Sequence, residues 1–157
     1  MRIEKPWAKA MGGGAALAAV VLLSGCDTLK SYIPGVVSPP KFDAASLADM
    51  NTVKSDADAL FTSLGVPGNC AYTAQTSQFA LVDKDLASLL TQAGTVPNNT
   101  FTLKSATLLQ NGFDAFRDEA KTKDPTCLPQ IVVADKKSSF DNAVANLISY
   151  ENAKTKG

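Results

Sequence analysis

The chain has 157 residues, 45% of them apolar, with 15 basic and 15 acidic side chains, no His and three Cys, which bounds it to at most one globular domain. A neutral balance gives no basic footprint for nucleic acid, and the absence of His excludes a His-containing catalytic triad and removes the commonest metal ligand.

Residues 1–9 carry Arg2, Lys5 and Lys9 against Glu4, and Ala10 to Leu23 is uncharged and apolar. That is the charged start and apolar run of an export signal. It is too short for a spanning helix, which needs about 20 apolar residues, and Gly12, Gly13 and Gly14 weaken it further as a helix. The run closes on Leu23-Ser24-Gly25-Cys26, which resembles the lipobox of bacterial lipoprotein precursors. The resemblance covers the signal region alone. It implies cleavage after Gly25, with Leu23, Ser24 and Gly25 as the recognition residues, and acyl chains on Cys26 that anchor the chain stably. An ordinary secretory signal with a chance Cys is the competing reading. Asp27 resembles the inner-membrane retention signal of enterobacterial lipoproteins, so the expected place is the periplasmic face of the inner membrane, with the outer membrane as alternative. Without residues 1–25, which hold three basic groups and one acidic group, 12 basic and 14 acidic side chains remain. Such a weak field steers no charged partner.

Residues 26–41 hold the lipidated Cys and a tether in which Pro34, Gly35, Pro39 and Pro40 allow neither a helix nor a central strand. Fully extended, a tether of this length reaches about 50 Å. Residues 42–157 form the folded domain. Asp43 is its first N-cap, and Leu47, Met50, Val53, Ala57, Leu60, Phe61 and Leu64 recur at steps of three and four until Gly65 and Pro67 stop the helix.

A second helix carries Phe79, Val82, Leu86, Leu89, Leu90 and Ala93, begins between Cys70 and Thr76, and stops at Gly94 and Pro97. The third carries Leu103, Ala106, Leu109, Phe113, Phe116 and Ala120 and ends at Asp124-Pro125; residues 100–103 alternate and fit a short strand as well. The last places Phe140, Val144, Leu147, Ile148 and Glu151 on one stripe, with Ser138 and Asp141 at capping-box spacing and residues 131–133 ambiguous between a first turn and a strand. Four amphipathic segments joined by short loops predict an all-α fold, an antiparallel four-helix bundle behind a flexible N-terminal tether.

With Cys26 acylated, Cys70 and Cys127 remain as one even pair in turn-like surroundings. In an exported chain that predicts a disulfide, with two reduced buried thiols as the rival. Both cysteines follow odd-numbered helices, so an antiparallel bundle puts them at one end. Closing a loop of 57 residues stabilises by about 4 kcal/mol in the chain-entropy view.

Chemistry-bearing groups are few. Asp56/Asp58 and Asp83/Asp85 lie two apart on helices, so the members of each pair point to different faces and are read as solvated. Asp114 and Asp118 share a face with Arg117, and Phe113 and Phe116 flank that arginine. The three form a speculative carboxylate or phosphate anchor, against the plainer reading of a charged rim with exposed pairs such as Glu119 with Lys123. Lys136-Lys137 is too small for a phosphate site. No catalytic or metal residues and no cofactor are expected. The sequence points to a lipid-anchored accessory or scaffold protein of the cell envelope, not an enzyme, with an envelope protein as partner and no nucleic acid. The alternative is a module binding a small ligand, lipid or cell-wall fragment between its helices.

Overall fold

A computed structural model describes residues 40–154. Asp43 accepts from the Ser46 backbone N–H at 2.9 Å and the Ser46 hydroxyl at 2.6 Å, satisfying an orphan donor of the first turn, and α1 runs Ala44–Leu64. Gly65 closes α1 by donating to Phe61 O, and the Gln130 side chain reaches back to Leu64 O at 3.1 Å. The chain reverses through Val66-Pro67-Gly68, with Gly68 at φ 89°, a left-handed conformation that favours glycine.

A 3-10 turn over Tyr72–Gln75 leads directly into α2, Thr76–Thr95, which fixes the start that the pattern left between Cys70 and Thr76. Val96 is extended, as a residue before proline prefers. Residues 100–103 belong to the first turn of α3, Thr100–Lys123, and no strand forms among the described residues. Lys121 and Lys123 sit in its last turn, where cations complement the helix dipole. The fourth helix, α4, spans Gln130–Ala153 and absorbs residues 131–133 as its opening turn. Ser138 therefore lies two turns inside α4 and caps nothing; Asp141 bonds Lys137 one turn before it.

The helices form a closed antiparallel ring in which α1 packs on α2 and α4, and α3 on the same two. Phe61, Phe79, Phe113, Phe116 and Phe140 fill one half of the core, drawn from all four helices. Their rings meet at 5.1 Å for Phe61 with Phe116, 5.8 Å for Phe79 with Phe116 and 6.0 Å for Phe113 with Phe140. These spacings suit offset and edge contacts. The other half is aliphatic, with Met50, Val53, Leu86, Leu89, Ala106, Val144 and Leu147 buried together.

Two expected core positions shift by one residue. Leu103 is exposed and Thr102 takes the inward place on α3, while Ser46 is buried one position ahead of Leu47 on α1. Both exchanges occur in the first turns, where the bundle ends in a polar layer. No helix among the described residues is long and apolar enough to cross a membrane.

Candidate functional site

The two poles of the bundle differ in chemistry. At one, α1 and α3 begin and α2 and α4 end, and residue 40 enters there. At the other, Cys70 and Cys127 form a disulfide with Cα atoms 5.2 Å apart, so the expected staple between the loops that follow α1 and α3 is present. Asp124 supports it by accepting from the Thr73 backbone and hydroxyl, both at 3.1 Å, and Leu128 is buried beside the Phe cluster.

The entry pole is closed by a buried polar network. Glu151 is fully buried, and its Oε1 accepts the Asp43 backbone N–H at 2.8 Å. Its Oε2 meets the Lys154 ammonium and, at 3.4 Å, the Thr102 hydroxyl. Lys154, whose side chain is 2% exposed, also donates to Asn99 Oδ1 and to Thr102 Oγ1 at 3.1 Å. Asn99 in turn donates to Ala93 O, and Gln92 donates to Asp43 Oδ2 at 3.0 Å. All four helix ends are thereby joined. Every donor and acceptor of the Glu151–Lys154 pair has a partner, which is the condition under which a charge pair tolerates burial. The Tyr150 ring packs tilted against Phe101, with centroids 4.2 Å apart, and burial, followed by the adjacent Glu151 charge, pushes its phenol pKa up.

Arg117, Asp114 and Asp118 do come together, and the arginine is already engaged. It pairs with Asp83 of α2, with Asp114 at 2.9 Å and with Asp118 at 3.8 Å. Burial alone would lower the guanidinium pKa, but the Asp83 bond and the three negative charges outweigh it and raise it. A cation held by three carboxylates has little left to offer an anionic ligand. The cluster ties α2 to α3.

The two Asp-x-Asp pairs split as expected, each member turning to a different neighbour, yet they are half-buried interhelical groups and not solvated ones. Asp58 meets Lys137 of α4 and, at 2.6 Å, Lys54. The Lys137 and Lys54 hydrogen bonds hold its carboxyl below the usual range. Asp56 instead faces Asp85 of α2, and burial followed by Asp56 pushes the Asp85 carboxyl up to about 6. The Lys136-Lys137 pair divides likewise, Lys136 going to Glu119 of α3 at 3.7 Å. That interhelical pair replaces the expected Glu119–Lys123 contact within α3.

Leu23, Ser24, Gly25, Cys26 and Asp27, the lipidation, recognition and sorting residues, lie outside the described residues. Among the described residues no three Cys, Asp or Glu side chains converge to hold a metal ion. No known protein family, curated protein or solved structure matches this chain. The sequence had placed Glu151 on an apolar stripe, which is the signature of a buried carboxylate in need of a partner. Lys154, three residues on, was the group overlooked; the i, i+3 spacing on that stripe was the signal for it.

Proposed function

We propose that the chain is a lipid-anchored helical component of a bacterial cell envelope that works by contact with another envelope protein. In this reading Cys26 carries the lipid, Asp27 keeps the chain at the inner membrane, and the bundle stands in the periplasm on its Pro-rich tether. The carrying observation is that the interior is committed to its own side chains. The Phe cluster fills one half of the core, and the entry pole is closed by a polar network whose charged pair is fully partnered.

Recognition then falls to the outside, where Ile131 and Leu108 are the most exposed large apolar side chains, at 69% and 59%. A bundle built to hold a small molecule keeps room between facing helices. Here facing rings meet across the centre, from Phe61 on α1 to Phe116 on α3.

Two measurements test the proposal. Intact mass of the chain purified from its native membrane should show an acylated Cys26 N-terminus; an unacylated chain refutes the anchor. A photo-crosslinking residue at Ile131 or Leu108 should capture one recurring envelope protein, while one at the exposed polar Asn142 should not. Equal capture at all three positions, or a lipid that remains bound through purification, refutes the contact reading.

A further inference from the structure

The seam between α1 and α2 is a ladder of polar rungs. From the entry pole, Gln92 donates to Asp43 at 3.0 Å, Ser88 to Asp49 at 3.3 Å, and, at the far end, Gln78 to Ser63 at 3.5 Å. Asp49, Asp56 and Ser63 are spaced by seven, two turns apart, so they recur on one side of α1. In each of these rungs one partner brings an N–H or O–H. The remaining rung, Asp56 with Asp85, has two carboxyls and no such donor.

Asp85 Oδ2 is itself buried, and no hydrogen bond from another side chain or the backbone satisfies it. Two carboxyls within bonding reach can complete the rung only if one of them holds a proton.

We propose that Asp56 and Asp85 share one proton across the α1–α2 seam and form an acid-sensitive latch, closed in mildly acidic surroundings and slack once the proton leaves. The groups facing Asp85 are Asp56 and Asp49 from α1 and Lys84 from its own helix. Lys84 opposes the effect and is outweighed by burial and by Asp56. On the other flank of α2, Asp83 is held by Arg117, with Asp114 and Asp118 of α3 around that arginine. With the Asp85 carboxyl lifted to about 6 from 3.8, the folded chain binds a proton that the unfolded chain releases. Stability is therefore greatest below the lower value and is lost as pH rises through the upper one. Asp43 and Asp58 are shifted the opposite way and act below pH 3.8. The chain has no His to titrate in between.

The experiment is a side-chain carboxyl titration by carbon-13 NMR of the intact chain, with thermal unfolding from pH 5 to pH 7. The expected result is one aspartate midpoint near pH 6 and a melting temperature that falls across that range. In D56N the new amide donates to Asp85. Its midpoint should fall below 6 and stay above 3.8, because burial still raises it, and the melting temperature should fall less steeply across the range. D85N, which removes the raised carboxyl itself, should level the melting temperature. Ordinary midpoints for both carboxyls, or an Asp85 midpoint that D56N leaves unchanged, overturns the latch.

Discussion

Replacing Lys154 with Met strands the Glu151 carboxylate in the entry pole. That carboxylate is fully buried and keeps only the Asp43 N–H at 2.8 Å and the longer Thr102 hydroxyl contact at 3.4 Å. Removing one partner of a buried pair costs about 3–5 kcal/mol, because the remaining charge is neither hydrated nor compensated. Replacing both charges with Met removes the stranded charge and leaves neutral orphans, chiefly the Asp43 N–H, at about 1–3 kcal/mol. The double variant should then be more stable than K154M alone, although it carries one more substitution. Urea unfolding at pH 7 and 25 °C reads this directly. With a slope of about 1–3 kcal/mol per M, K154M lowers the midpoint by about 2 M, and the added Glu151→Met restores part of the loss. A K154M cost below about 1 kcal/mol, or a double variant worse than K154M, refutes the view that the pole is held by a compensated charge pair.

The Phe cluster should be the least forgiving part of the core: Phe116→Ala opens a cavity facing Phe61, Phe79 and Phe113 and should cost about 3–5 kcal/mol in the same assay. Phe101→Ala, at a half-buried ring that touches Tyr150, should cost about 1 kcal/mol. Replacing Cys70 and Cys127 together with Ser should cost about 2–4 kcal/mol, and reductant should destabilise the wild type but not the variant. Asp58, whose carboxyl is held down by Lys137 and Lys54, contributes stability above pH 3.8 that is lost as pH falls through its folded value. D58N should therefore melt below wild type at pH 7, with the gap narrowing as pH falls below 3.8.

The four stripes of apolar residues at steps of three and four, punctuated by Gly65, Pro67, Pro97 and Asp124-Pro125, sufficed to derive the bundle, and with it the juxtaposition of Cys70 and Cys127. Periodicity reports only which side of a helix faces inward, and that is what a bundle needs. It reports poorly at helix ends. There Leu103 gave way to Thr102, because the inward positions of the first and last turns serve a polar layer. The charged groups were harder to read for another reason. Glu119 joins Lys136, Asp83 joins Arg117 and Asp56 meets Asp85, each a contact across two helices. Spacing within one helix carries no information about the rotational register between neighbours. Asp114, Arg117 and Asp118 could be grouped because they share α3, while the tie of Arg117 to Asp83 was not legible because Asp83 comes from α2.

An even number of antiparallel helices returns the chain to the pole where it entered, and here the two ends are fastened to each other. The bond from the Asp43 N–H to Glu151 joins residues 108 apart in sequence. The first turn of one terminal helix and the last turn of another are normally where a bundle frays, opening many times before the whole molecule unfolds. In this bundle neither turn can peel away without exposing the Glu151–Lys154 charges, and the disulfide limits opening at the opposite pole. Amide exchange at Ser46 and Leu47, whose N–H groups are bonded to Asp43, and at residues 148–153 should therefore follow global unfolding, so that the margins of the domain are as long-lived as its centre.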